Sequence, residues 1–144
     1  MSILVDGDGC PNIAEIKNVA IQYQQEMVVF MDYAHLIEDD YFETVICDIG
    51  RDSVDLVLLK YLKFNDLVIT QDYGLASLAL LKGAQVLHVS GKIINHENID
   101  QLLMSRFVSA KLRNSGTRLK GPPKRTLDVK KVFIEQLIKI IDKK

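Results

Sequence analysis

No apolar run in this chain approaches the roughly 20 residues that a bilayer-spanning helix needs. The chain opens directly into Ser2-Ile3-Leu4-Val5 with no basic stretch before it, unlike a secretory signal. The expected compartment is therefore the cytosol, with no membrane partner. The only cysteines, Cys10 and Cys47, lie too far apart in sequence for a metal knuckle, and Cys47 reads as a packed thiol. His35, His88 and His96 lack metal-ligand spacing, and His88 falls inside a strand-like run, where a packed histidine is expected. There is no Gly-x-Ser-x-Gly elbow, no Walker loop and no Cys-x-x-Cys pair. Gly7 and Gly9 lack the third glycine of a dinucleotide fingerprint, and Pro11 occupies the turn. Internal repeats and low-complexity tracts are absent as well.

What is present is one domain's worth of chain, 144 residues of which 48% are hydrophobic, enough for an ordinary core. The formal net charge of −1 conceals a division. Residues 1–105 carry sixteen acidic and six basic side chains, whereas residues 106–144 carry twelve basic and three acidic. One reading is a basic segment that grips a polyanion while an acidic body holds a cation. The other is that the halves neutralise each other within the fold or across a dimer.

Hydrophobic periodicity alternates between short continuous runs and helical spacing. Ser2-Ile3-Leu4-Val5, Met27-Val28-Val29-Phe30-Met31, Thr44-Val45-Ile46-Cys47, Leu67-Val68-Ile69-Thr70 and residues 84–89 read as strands, the continuous runs being those of a buried parallel sheet. Between them, Pro11 begins a helix that ends near Gln24-Gln25, residues 53–63 form a second with Asp52 or Ser53 as N-cap, and Tyr73 to Leu81 form a third that stops at Gly83. This alternation predicts an α/β single domain, a mostly parallel sheet of about five strands flanked by helices. Beyond Ser90-Gly91 strand signals cease. Residues 1–90 thus form the α/β core and 91–144 a helical, basic C-terminal part. Its first helix, residues 97–113, carries Ile99, Leu102, Leu103, Phe107, Ala110 and Leu112 as a mostly one-sided apolar set. Gly121-Pro122-Pro123 then breaks the helix. The last helix presents Val129, Val132, Phe133, Leu137, Ile140 and Ile141, a stripe that needs the domain body or another subunit to cover it.

Against this background four aspartates stand out, each within three residues of an apolar run: Asp6, Asp8, Asp55 and Asp72. Residues just past the carboxyl ends of parallel strands meet in one crevice, where carboxylates converge and repel. A divalent cation relieves that repulsion, and oxygen-only ligands suit Mg²⁺ or Mn²⁺, one or two ions. Asp6 and Asp8 point the same way in an extended backbone, with Gly7 and Gly9 leaving room for a ligand or phosphate. Thr70 supplies a hydroxyl to the same crevice and can orient Asp72. Each residue also has a structural reading: Asp8 as a helix cap, Asp52 and Asp55 as complements to a helix dipole, Asp72 as a cap ahead of Gly74-Leu75-Ala76.

The segments Val5-Asp6-Gly7-Asp8-Gly9-Cys10-Pro11, Arg51-Asp52-Ser53-Val54-Asp55 and Asp66-Leu67-Val68-Ile69-Thr70-Gln71-Asp72-Tyr73-Gly74-Leu75-Ala76 resemble the bacterial YaiI/YqxD family. The similarity continues through Glu97-Asn98-Ile99 into Gly121-Pro122. The fold of that family is taken to be PIN-like, so the resemblance implies the acidic crevice of PIN nucleases: Asp6, Asp55 and Asp72, with Asp8 and Asp52 nearby. The chain departs from the family pattern at Leu56, commonly acidic or polar, and at Asp128-Val129-Lys130, where an Arg-Asp-Arg-like triplet is usual.

The expected activity is metal-dependent cleavage of nucleic acid, single-stranded RNA for preference. Asp6, Asp55 and Asp72 are the catalytic set, with Asp8 as an additional metal-site residue and Thr70 and Asp52 in support. Arg106, Lys111, Arg113, Arg118, Lys120, Lys124 and Arg125 would track the backbone. The competing expectation is a PIN-like module that binds RNA or a regulatory protein partner without cutting, which Leu56 favours. A lesser one is a haloacid-dehalogenase-type phosphatase, suggested by Asp6-x-Asp8 and opposed by Cys10-Pro11 and by the lack of a downstream lysine and acidic pair in order.

Overall fold

In the computed structural model, which describes residues 1–32, 38–47, 53–116 and 127–143, the first apolar run forms strand β1 (Ser2–Asp6) in the interior of the sheet. Then follow α1 (Ile13–Gln22), β2 (Glu26–Asp32), β3 (Glu43–Cys47), α2 (Ser53–Tyr61), β4 (Leu67–Thr70), α3 (Tyr73–Leu81) and β5 (Gln85–His88). The chain continues with β6 (Ile93–Ile94), α4 (Ile99–Asn114) and α5 (Leu127–Asp142). The sheet order is β3-β2-β1-β4-β5-β6, with β1 to β5 parallel and β6 antiparallel to β5. The result is a single α/β domain whose mostly parallel sheet is flanked by five helices, the class expected.

The strands are apolar on both faces because helices cover both. Ile3, Val5, Val29, Met31, Ile69 and Leu87 pack with α1 and α5. Leu4, Phe30, Val68 and Val86 point the other way, onto α2, α3 and Ile99 at the start of α4. Alternation along each strand therefore decides which layer receives the next side chain. The stripe of α5 finds its partner within the domain: Phe133, Leu137, Ile140 and Ile141 are buried against the α1 side, and Lys130 pairs with Glu15 at 2.7 Å. Each such apolar burial contributes about 1.5–3 kcal/mol.

Three local expectations change. The sheet gains β6, a two-residue return after the turn at Gly91 (φ +94), too short to show alternation in sequence. Helix α1 starts at Ile13 rather than Pro11, after a single 3-10 turn at Gly7–Gly9. In α4 only Ile99 is buried, while Leu102 and Leu103 are partly packed. Phe107 and Leu112 face solvent, because helical spacing turns them away from the side that packs Ile99, Leu102 and Leu103 onto the body. Among the described residues no helix is long and apolar enough to cross a membrane.

Candidate functional site

From β1 the chain steps outward through β2 to β3, then crosses to β4 on the other side of β1. The direction of winding reverses between β1 and β4, and in open α/β sheets such a switch point is where a crevice forms outside the carboxyl ends of the strands. Asp6 is the last residue of β1 and Thr70 the last of β4. Their neighbours Leu4 and Val68 both belong to the α2–α3 layer, so period-two alternation puts Asp6 and Thr70 on that same face.

Thr70 is fully buried, and its hydroxyl donates to Asp6 Oδ2 at 2.8 Å. Thr70 Oγ1 in turn accepts the Asp72 N–H at 3.0 Å, which leaves the hydroxyl proton for Asp6. Asp72 is the N-cap of α3, its Oδ1 accepting from the N–H groups of Gly74 (2.8 Å) and Leu75 (3.2 Å). Capping was the structural reading of Asp72, and it coexists with a place at the crevice. Asp8 lies in the 3-10 turn and does not cap α1, whose N-cap is Asn12. Its Oδ1 instead accepts the N–H of Asp32 at 3.3 Å.

Burial raises the Asp6 carboxyl above its ordinary value, and the charges of Asp8 and Asp72 push it further. The Thr70 hydroxyl and the Asp8 N–H act in the opposite direction by bonding the ionised form. Two of the other singled-out aspartates therefore act on Asp6. Asp55 is not among the charges acting on Asp6. It sits half-buried in the first turn of α2, which packs on β1 and β2, next to the sheet-facing Val54. Asp52, Arg118, Lys120, Lys124 and Arg125, with His35, lie outside the described residues.

Gly7 serves a different purpose from the one expected. A Cβ there would stand 2.9 Å from the Phe30 carbonyl oxygen and 2.9 Å from Val29 Cγ1, so the space is taken by β2 and not by a ligand. Two groups at the same edge escaped the sequence reading. Asp32 ends β2 and, two residues beyond Phe30, follows the alternation onto the α2–α3 face. The signal was available, since Asp32 follows an apolar run just as Asp6 does. His88 ends β5 opposite Thr70, with Nδ1 accepting the Ser90 N–H at 3.1 Å and its ring 5.4 Å from that of Tyr73. It is half-buried and held in place, nearer the crevice than a packed strand histidine would be. A further carboxylate, Asp66, is buried at the opposite edge, where it accepts the N–H groups of Ser2 (2.9 Å) and Lys63 (3.0 Å) and ties β1 to the α2–β4 connection.

The basic residues divide. Arg106 Nη1 stands 3.7 Å from Asp72 Oδ1, so the start of the basic segment reaches the acidic edge. Arg113, seven residues on, lies on the same side of α4 within about 20°. Lys111 is turned about 140° from Arg106. Its ammonium lies 5.6 Å from the Phe107 ring centre instead. The hollow lined by Lys17, Glu38, Asp39, Phe42 and Thr44 is elsewhere, beside β3, where the Lys17 ammonium at 2.7 Å holds the Asp39 carboxyl below its usual value.

Carboxylates and a buried hydroxyl at the switch point of a mostly parallel sheet define the class: an α/β protein with an acidic crevice. The chain belongs to the YaiI/YqxD family. The family model, described as "Uncharacterized BCR, YaiI/YqxD family", matches residues 4–143. A UPF0178 protein of Natranaerobius thermophilus is 46% identical over 125 residues, 87% of this chain and 85% of that one. UPF0178 proteins of Clostridium kluyveri (37% over 141 residues, 98% and 93%) and Bacillus cytotoxicus (40% over 139 residues, 96% and 91%) are similar over nearly their whole lengths. No solved structure matches the chain.

Proposed function

We propose that this chain is a PIN-like, metal-dependent nuclease acting on nucleic acid, single-stranded RNA for preference. The observation that carries the reading is the Asp6 carboxyl, raised by burial and by the neighbouring charges of Asp8 and Asp72 while a buried hydroxyl fixes its direction. A protein gains nothing in stability from such crowding, and a hard cation relieves it.

Among the described residues no three His, Cys, Asp or Glu side chains form a ready-made cage. Mg²⁺ does not require one, because it keeps several waters and takes one or two carboxylates together with substrate phosphate oxygens. Asp6 with Asp8 or Asp72 meets that need; Asp55, the remaining member of the proposed catalytic set, stands in the first turn of α2. Bound there, the cation supplies a more acidic water and neutralises developing charge.

The protein's own contribution is positioning. Thr70 keeps the Asp6 oxygen that it bonds at a fixed angle, and the α3 cap does the same for Asp72. Arg106 exchanges Asp72 for a phosphate oxygen when the polyanion arrives, and Arg113 holds the next stretch of backbone. These contacts are to phosphates, so binding is indifferent to sequence and weakens with salt.

The test is cleavage of end-labelled single-stranded RNA with Mn²⁺, with EDTA, and by Asp6→Asn. Loss of full-length strand that needs both the ion and Asp6 supports the proposal, and intact strand throughout ends it. A second reading, a module that binds without cutting, is favoured by Leu56, 61% exposed beside Asp55, an apolar residue where the resemblance leads one to expect an acidic or polar one. A salt-sensitive gel shift with no cleavage is its signature.

A further inference from the structure

The outer side of α4 carries four large apolar side chains in water: Met104 (61% exposed), Phe107 (57%), Val108 (47%) and Leu112 (40%). They recur at i, i+3, i+4 and i+8, a single stripe on the side away from Leu102, Leu103 and Ala110. Soluble chains rarely leave such a stripe open without a partner. Its charge pattern identifies which. Asp100 precedes the apolar residues and Lys111 stands near their far end, beside Leu112; eleven residues apart, they lie about three turns apart on nearly one line. The stripe therefore reads acid, apolar, base.

We infer that the exposed face of α4 is a homodimer interface, two copies of the helix packing antiparallel about a two-fold axis. In that arrangement Asp100 of each copy faces Lys111 of the other, at both ends at once. Met104 of one packs on Phe107 of the other at the centre. A parallel arrangement would set like charge on like, and an isologous contact requires self-complementarity of this kind. A nucleic acid is the poorer occupant, because Asp100 repels phosphate and Met104 and Val108 offer no stacking surface. Arg106 and Arg113 point elsewhere, so the interface is independent of the catalytic reading.

A contact of two helices is small, and micromolar association is expected. Sedimentation velocity on the full chain, up to about 100 µM, should show a species of twice 16.3 kDa. Phe107→Glu should return it to monomer with an unchanged circular-dichroism melt, since the side chain has no place in the core. Asp100→Lys and Lys111→Glu should each weaken dimerisation about tenfold or more, and the two together should restore it. A monomeric wild type at the highest concentration overturns the inference. So does a dimer that survives Phe107→Glu, or a double variant weaker than either single one.

Discussion

The Thr70 hydroxyl bonds Asp6 across 64 residues of sequence, joining the ends of β1 and β4 where the sheet reverses its winding. Through it the fold controls the direction of the Asp6 carboxylate. Replacement by valine keeps the shape, removes the proton given to Asp6 and orphans the Asp72 N–H. Thr70→Val should lose about 1–3 kcal/mol in urea unfolding and shift the Asp6 carboxyl further upward by NMR titration. Thr70→Ser should keep the titration. An unshifted Asp6 in the valine variant would show that the hydroxyl does not direct it.

Because Asp6 is raised in the folded state above its value of 3.8 in the unfolded chain, its ionised form opposes folding. The cost is absent below 3.8, grows as pH climbs from there to the raised folded value, and is complete above it. Asp6→Asn removes that dependence. The stability difference between variant and wild type should move in favour of the variant as pH rises through this window. Denaturant midpoints at several pH values check it, and a difference that is flat with pH contradicts the assignment.

Divalent cation should act oppositely. Mn²⁺ at about 100 times its dissociation constant should stabilise the wild type by about 2.7 kcal/mol. Asp6→Asn should show little of that gain in a thermal melt. Equal gains in both proteins would move the ion away from Asp6.

Gly7→Ala tests the packing reading. A methyl at 2.9 Å from a backbone oxygen forces β1 and β2 apart, which should cost about 1–3 kcal/mol in unfolding free energy. Were Gly7 merely a ligand gap, stability would hold and only binding would change.

In α5, Phe133→Ala should cost about 3–5 kcal/mol, because the ring is fully buried between the sheet and α1. A loss below about 1 kcal/mol would mean that α5 packs loosely on the body.

Much of this architecture was legible because continuous apolar runs and helical spacing obey different periods. Leu67–Thr70 and Tyr73–Leu81 lie where the pattern alone puts them, and Phe133 and Leu137 are buried as their spacing implies. The convergence of Asp6 and Asp72 on one edge was readable from their places just past strand ends. What escaped was non-local. The space beside Gly7 depends on where β2 passes, a matter of register and not of composition. Asp32 closes β2 one residue beyond the apolar run, so the run alone does not include it.

The interior placement of β1 has a consequence for biogenesis. A nascent polypeptide that has emerged only as far as β3 holds Asp6 with no hydroxyl to steer it. Arrival of β4 supplies Val68 and Ile69 beside Leu4 and Val5, and Thr70 with them. Long-range pairing of this sort is slow to form, so the acidic crevice is completed late in maturation, once most of the sheet exists to support it.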